Sequence, residues 1–136
     1  MADEMLPGNR NSDVIRRGYT AFETGDFNTL AKLMDGSCAW HSPGKSLIAG
    51  DYKGHEAIFG YFERLGTETQ GTFKSDLLHV TEDDDGSVVA VHRDTAVRNG
   101  RRLDALTCIV YEIKGGKVVD GREYTYDLYA WDAFWS

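Results

Sequence analysis

The residues best suited to proton transfer fall on two segments that alternate like β-strands. His92 and Asp94 are two positions apart, so on a strand their side chains share a face and Arg93 points away. Glu123 lies on a later strand-like segment. If these groups meet, one carboxylate can orient the imidazole while the other, desolvated and raised in pKa, gives or takes a proton. Alternatively, both carboxylates are hydrated near a rim and His92 only packs.

Three segments in the first half of the chain have the apolar period of amphipathic helices. They cover residues 12–24, 27–34 and 55–66. Asn11 or Ser12 can cap the first helix and Asp26 the second. A strand at 37–42 and a loop at 43–54 separate the second helix from the third.

After residue 66 the apolar pattern changes to the strict alternation that is typical of strands. Turn signals occur at 83–86, 99–100 and 115–116. The strands that they divide cover about residues 72–80, 87–98, 101–113 and 117–129. Helices followed by an antiparallel meander indicate an α+β fold with the helices on one face of the sheet. Strands roughly twice the usual length must curl, so a cone with a dead-end cavity is expected, with three helices on its concave face.

Length and charge narrow the class of protein. The chain has 136 residues, 22 acidic and 15 basic side chains, and a formal net charge of −7. This is the size of one domain, so we predict a flexible arm at 1–11 and a single domain at 12–136. Because Lys and Arg never cluster beyond pairs, no nucleic-acid partner is expected. Without a long apolar run or a secretory signal, we expect no membrane contact and a cytoplasmic protein.

The residues that most often bind metals are too scattered to predict a metal site. Cys38 and Cys108 lie far apart and form no CxxC motif, and the 4 histidines lack the close spacing of metal ligands. We therefore expect buried thiols, no metal and no cofactor.

Three motifs accompany this order of elements. They are Ala-Trp-His-Ser-Pro-Gly at 39–44, Gly-Asp-Tyr-Lys-Gly at 50–54, and an aromatic segment at 127–136. Together they resemble the SnoaL-like group of the nuclear-transport-factor-2-like superfamily, over residues 12–136. The resemblance implies the cone fold and the homodimer usual for the superfamily. The superfamily includes isomerases, polyketide cyclases, epoxide hydrolases, dehydratases and noncatalytic binding modules, so the fold alone implies no single activity.

Two enzyme groups of this superfamily fit the chain unequally. The motif residues of ketosteroid isomerase are missing, since Ser42 occupies the place of its base and Cys108 or Ile109 that of its strand carboxylic acid. The last three strands are similar to limonene-type epoxide hydrolase, which implies that Glu123 is an active carboxylate on the cavity face. His92 stands where that family has an arginine, so a group that titrates near neutrality replaces a permanently charged one.

The same resemblance implies further cavity positions that bind substrate. Tyr19 is near the place of the isomerase tyrosine, His41 falls where epoxide hydrolases position water, and Asp127 resembles the acid/base aspartate of SnoaL-type cyclases. The strand next to Glu123 contributes Thr107, Ile109 and Tyr111. A core histidine bonded to backbone is an equal alternative for His41, and a cap of the C-terminal segment is one for Asp127. Trp40 is expected to face away from His41 and to pack.

Two further apolar regions, the C-terminal segment and the second face of the sheet, are candidates for contact with a partner chain. Residues 128–135 are too aromatic to stay in water, so they pack on their own subunit, cover the cavity mouth or contact a partner chain. The loop at 43–54 is either a lid or a plain connection. The second face of the sheet also carries apolar side chains, which favours a homodimer through that face. They are Val89, Val91, Leu106, Val110, Tyr124 and Tyr126.

Two functions fit these observations. The first is a cofactor-free isomerase, cyclase or epoxide-hydrolase-like enzyme for a small apolar, oxygenated molecule, in which His92, Asp94 and Glu123 handle protons. The second is a noncatalytic small-ligand-binding or dimeric accessory module of the same fold. Polar side chains that converge inside the cavity favour the first function, and a cavity filled by aromatic rings favours the second.

Overall fold

A computed structural model describes residues 10–136. Its helices are α1 (Asn11–Thr24), α2 (Phe27–Leu33), α3 (Gly54–Thr67) and α4 (Leu128–Phe134). Gly25 ends α1 in the left-handed conformation, with φ of 70°. Within residues 10–136, none of the helices is both long and apolar enough to cross a membrane. Most of the predicted arm at 1–11 falls on residues 1–9, which lie outside the described residues.

The strands form a curved six-stranded sheet, which confirms the predicted α+β fold. They are β1 (Met34–Ser42), β2 (Gly50–Lys53), β3 (Lys74–Glu82), β4 (Val88–Arg98), β5 (Arg101–Lys114) and β6 (Lys117–Thr125). Their order is β2-β1-β6-β5-β4-β3, and β1 and β6 are parallel while the other neighbours are antiparallel. Asn99 and Gly100 both have positive φ, as the two-residue turn between β4 and β5 requires.

Two short elements differ from the sequence prediction. Strand β2 lies inside the segment predicted as a loop, because four residues are too few to show a period. Helix α4 replaces the end of the last predicted strand, since the Asp127 side chain accepts a hydrogen bond from the Ala130 N–H at 3.1 Å and caps a new helix. The last strand therefore ends at Thr125 instead of near residue 129.

The pairing of β4 with β5 determines which side chains face the helices. Its register runs without a shift from Val88 opposite Tyr111 to Arg98 opposite Arg101. An uninterrupted register keeps the strict alternation of faces. The residues of β4 buried on the inner face are Val88, Ala90, His92, Asp94 and Ala96. His92 and Asp94 consequently point to the same buried side.

The aromatic C-terminal segment packs on its own chain. Trp131, Phe134 and Trp135 are buried, whereas Tyr129 is 92% exposed. Arg98 and Arg101, at the turn between β4 and β5, donate hydrogen bonds to the last carbonyls of this segment. Helix α4 is thus fixed across the β4–β5 end of the sheet.

Gly121 on β6 gives a direct test of this packing. It pairs with Trp40 of β1, and a Cβ at Gly121 would lie 2.6 Å from two carbons of the Trp40 ring. We expect Gly121→Ala to lower the free energy of unfolding by about 1–3 kcal/mol in chemical denaturation, because the indole must move.

Gly60→Ala in α3 is the matched control, since a Cβ there meets no heavy atom within 4 Å. Removing backbone freedom from a helix interior should raise its stability by about 0.5–1 kcal/mol. A Gly121→Ala protein as stable as wild type would contradict the position of Trp40.

Candidate active site

The concave face of the sheet and the helices enclose a mostly apolar cavity. Its empty volume is about 690 Å³, a value that includes solvent at the open side. Aromatic side chains form much of the wall, among them Phe22, Phe62, Phe73, Trp40 and Trp131. The polar side chains that reach it are Tyr19, Tyr61, Ser75, His92, Asp94, Tyr111 and Glu123. An apolar cavity with a few convergent polar groups is typical of a small-molecule site.

A chain of hydrogen bonds runs through His92. Its Nε2 lies 3.2 Å from Asp94 Oδ2, and its Nδ1 lies 2.5 Å from the Tyr19 hydroxyl. Ser75 donates to the other Asp94 oxygen at 2.5 Å, and Tyr111 donates to the Tyr19 hydroxyl at 3.4 Å. His92 and Asp94 are only 5% and 2% exposed. Four elements, α1, β3, β4 and β5, therefore contribute to one connected group.

The partners of His92 assign its proton positions. Because a carboxylate only accepts hydrogen bonds, Nε2–H donates to Asp94, and neutral His92 accepts the Tyr19 O–H on Nδ1. Burial alone would lower the pKa of His92, but the hydrogen bond and charge of Asp94 raise it above its usual value. Burial raises the pKa of Tyr19, so the phenolate does not accumulate.

Glu123 is held by two donors from other elements. The Trp40 indole N–H donates to Oε2 at 2.6 Å, and the Tyr61 hydroxyl donates to the same oxygen at 2.8 Å. No donor within residues 10–136 pairs with Oε1. When the carboxyl group is neutral, its proton therefore belongs on Oε1, the oxygen without a donor.

Burial raises the pKa of Glu123 from 4.5 to about 7. The hydrogen bonds from Trp40 and Tyr61 oppose this shift, the charge of Asp94 adds to it, and that of His92 opposes it. A carboxyl group that titrates near neutral pH is suited to general acid and base catalysis.

The structure brings the three predicted acid/base residues to one cavity but does not join them all. His92 and Asp94 are in contact, as the i, i+2 spacing predicts. Glu123 lines the same cavity, and among the described residues its hydrogen bonds go to Trp40 and Tyr61 instead. Two separate polar centres thus face a shared apolar space.

Three of the six predicted binding residues belong to the wall of this site. Tyr19, Ile109 and Tyr111 line the cavity. Thr107 is buried behind it, where its hydroxyl donates to Asp94 Oδ2 at 3.4 Å and meets Thr125 Oγ1 at 3.3 Å. Thr107 therefore supports the orientation of Asp94 rather than forming part of the wall.

The sequence predicts His41 on the cavity face of β1 and Trp40 on the outer face. The structure shows the reverse. Cys38, Trp40 and Ser42 are the buried face of β1, so alternation turns His41 to the outer face. There its ring nitrogens meet Asp51 Oδ1 at 2.6 Å and Asp120 Oδ1 at 2.8 Å. Burial opposes protonation of His41, but the bonds to these two carboxylates raise its pKa.

The prediction of Asp127 as a cavity residue is also wrong. Its side chain is the exposed cap of α4, which is the alternative that the sequence left open. A capping carboxylate satisfies a backbone N–H at the helix start and therefore turns away from the cavity.

Three residues of the site were not predicted from the sequence. Tyr61 belongs to the apolar stripe of α3, where a core role is the simplest interpretation, and its contact with Glu123 spans 62 positions. Trp40 was placed on the wrong face. Ser75 sits on a β3 segment that alternates, and this alternation is the one signal that could have identified it.

The described residues contain no group of three or more His, Cys, Asp or Glu side chains arranged to hold a metal ion. The buried acids instead have hydroxyl and indole donors as neighbours. These donors stabilise the carboxyl oxygens of Glu123 and Asp94 by hydrogen bonds.

Comparison with known proteins identifies the family. The SnoaL-like domain matches residues 15–121. The chain belongs to the SnoaL-like family. It is 30% identical over 124 residues to an uncharacterized protein of Mycobacterium tuberculosis, a match that covers 91% of this chain and 95% of that protein.

Two solved structures are also similar to this SnoaL-like chain. Bal32a, from a soil-derived mobile gene cassette, is 59% identical with a TM-score of 0.91, over 93% of this chain and 96% of that one. A putative SnoaL-like polyketide cyclase from Jannaschia sp. CCS1 is 18% identical with a TM-score of 0.75, over 93% and 91%. The predicted resemblance is confirmed, and the chain has a fold that small-molecule isomerases and cyclases share.

The raised pKa of Glu123 predicts an unusual pH dependence of stability. Between pH 4.5 and about 7 the folded chain binds more protons at this group than the unfolded chain, so the free energy of unfolding falls as pH rises through this window. Relative to Glu123→Gln, wild type should lose about 3 kcal/mol between pH 4.5 and 8 in denaturant titrations.

Glu63→Gln, at an exposed position of α3, is the control and should show no such difference from wild type. If wild type instead gained stability over this range relative to Glu123→Gln, Glu123 would be ionised in the folded protein.

Proposed function

We propose that this SnoaL-like protein is a cofactor-free proton-transfer enzyme, an isomerase or cyclase of a small apolar, oxygenated molecule. The observation that carries the proposal is that one apolar cavity holds two proton-carrying centres. One is the Tyr19–His92–Asp94 chain, and the other is Glu123 with a pKa of about 7. Enzymes that move a proton between two atoms of a substrate need an acid and a base of this kind.

The histidine chain is the proposed base. The Tyr19 oxygen takes a proton from a substrate carbon while the Tyr19 O–H proton passes to His92 Nδ1. Asp94 then stabilises the imidazolium through the Nε2–H bond. The two transfers are concerted, because the raised pKa of Tyr19 disfavours a free phenolate or a separate intermediate.

Glu123 is the proposed acid. Its Oε1 proton passes to the substrate carbonyl oxygen, and the resulting carboxylate is stabilised by the Trp40 and Tyr61 donors on Oε2. The product of this step is an enol: a C–H bond has broken and an O–H bond has formed. Tyr19 holds the proton from carbon, and His92 holds the proton that Tyr19 gave up.

The enol can react in two ways, and each of them returns Glu123 and His92 to their starting protonation states. In isomerisation, His92 returns its proton through Tyr19 to a different carbon, and the enol O–H proton returns to Glu123. In cyclisation, the enol carbon attacks a second carbonyl carbon of the same molecule. The oxygen of that carbonyl takes the proton from the Tyr19–His92 chain, and the enol O–H proton again returns to Glu123.

Epoxide hydrolysis is less well supported than these reactions. His41, the group that the family resemblance gave to water positioning, is bonded to Asp51 and Asp120 on the outer face. A mostly apolar wall suits reactions within a single molecule, which need no water as a reactant. The putative polyketide cyclase among the similar structures agrees in fold with this choice.

A noncatalytic binding module is the second candidate. The aromatic wall formed by Phe22, Phe62 and Phe73 supports it, because these rings can hold an apolar ligand without chemistry. The two functions differ in whether bound carbonyl compounds exchange protons.

Proton exchange tests the proposed function directly. We expect wild type to accelerate deuterium incorporation next to the carbonyl of cyclic ketones in D₂O, with 1-tetralone as the first probe, as followed by NMR. Glu123→Gln keeps the side-chain volume but cannot donate the proton, so the rate should fall by about 10²–10⁴-fold.

His92→Gln should slow exchange to a similar extent, because it removes the base. Glu63→Gln should exchange as fast as wild type, since Glu63 is exposed on α3. Exchange by wild type no faster than in buffer, across ketones that bind, would favour the binding module.

We also propose the homodimer through the outer face of the sheet. Leu106 on β5 is 47% exposed and Tyr124 on β6 is 54% exposed, and Tyr126 follows at 89%. Leu106 and Tyr126 are joined by a backbone hydrogen bond, so these side chains form one patch.

Light scattering should give twice the chain mass of 15.2 kDa at micromolar concentration. Tyr124→Lys combined with Leu106→Lys should give the single chain mass with an unchanged fold, because the charges must be desolvated at the interface. A wild type of 15.2 kDa at this concentration would contradict the dimer.

A further inference from the structure

Trp131 of α4 is a buried residue of the cavity that the acid/base mechanism does not use. It lines the cavity and is 1% exposed. Its indole Nε1 is buried and has no hydrogen-bond partner within the described residues. A buried N–H without an acceptor costs free energy, so such a group in a cavity wall is a candidate to pair with a ligand.

The other two tryptophans show what is particular to Trp131. Trp40 also lines the cavity, but its indole N–H donates to Glu123. The Trp135 indole N–H is buried without a partner, but Trp135 is not part of the cavity wall. Its ring packs among Phe73, Phe134 and Trp131. Trp131 alone of the three combines an unpaired donor with a place in the wall.

The position of Trp131 is fixed by bonds at both ends of α4. Asp127 caps the start of the helix. Asp132 accepts a hydrogen bond from the Lys45 backbone N–H at 3.1 Å, and Arg98 and Arg101 bind carbonyls at its end. A donor held in this way loses little conformational freedom when it binds an acceptor.

We propose that the Trp131 indole N–H is a specificity-determining donor that binds an oxygen of the substrate. On the proposed function, Glu123 already serves the reacting oxygen, so the requirement for a second oxygen rests on that function. The substrate class is then a largely apolar molecule with two oxygen groups, one at the reacting carbon and one accepting from Trp131. A carbonyl, ether or hydroxyl oxygen supplies the acceptor.

The test uses naphthalene and tetralin derivatives with one or two oxygen substituents at varied positions, including 1-tetralone and 6-methoxy-1-tetralone. In the ¹H–¹⁵N spectrum of labelled protein, the 3 tryptophans give three indole signals. We expect at least one doubly oxygenated compound to bind about tenfold more tightly than its singly oxygenated parent and to shift the Trp131 proton downfield.

Variants separate the hydrogen bond from packing. Trp131→Phe should remove the tenfold gain, and replacement of Trp131 by 3-benzothienylalanine should do so while keeping the ring size, which guards against misfolding of the smaller variant. Trp135→Phe is the matched control, because it removes the other unpaired indole N–H outside the wall. It should leave the gain unchanged.

The proposal is wrong if no doubly oxygenated compound gains affinity over its parent. It is also wrong if the gain survives in the benzothienylalanine protein, as expected if the Trp131 N–H only faces the ring of Trp135. Binding is measured without turnover, so failure of the Trp131 proposal can be distinguished from failure of the proposed enzyme function. If ketones that shift the Trp131 signal exchange their protons no faster than in buffer, the proposed function is contradicted and the donor is retained.

Discussion

The buried carboxyl group of Glu123 is the constraint on which the rest of the site depends. Trp40 from β1 and Tyr61 from α3 both donate to its Oε2, so three elements must meet at one oxygen atom. The parallel pairing of β1 with β6 allows this, because Gly121 lies opposite Trp40 and has no Cβ to obstruct the indole. Desolvation then makes proton binding favourable near neutral pH.

The His92–Asp94 pair and Glu123 influence each other's pKa through their charges. Asp94 favours a proton on Glu123 and on His92, whereas the positive charge of His92 favours ionised Glu123. Loss of a proton from Glu123 is therefore coupled to gain of one by His92, and this is the direction of the proposed acid and base steps. The unshifted register of β4 and β5 keeps His92 and Asp94 on the cavity face, and Thr107 and Ser75 hold the Asp94 oxygens.

Features that depend on residues close together in sequence could be predicted, whereas contacts between distant residues could not. Local patterns were sufficient for α1 to α3, for the three hairpins and for the shared face of His92 and Asp94, because each depends on neighbouring residues. The position of Glu123 on the inner face required a family resemblance. The faces of Trp40 and His41 were inverted, since a short strand with apolar and polar residues side by side fits either orientation. Tyr61 meets Glu123 only through tertiary packing, which leaves no local signal.

The central claim is that Glu123 carries a proton in the folded protein close to neutral pH. The most direct test is a ¹³C NMR titration of the Glu side-chain carboxyl carbons, with the signal of Glu123 assigned by its absence from Glu123→Gln. The structure predicts a midpoint near pH 7 for this one signal. A midpoint near the ordinary glutamate value of about 4.3 would contradict the claim, and with it the assignment of Glu123 as the acid.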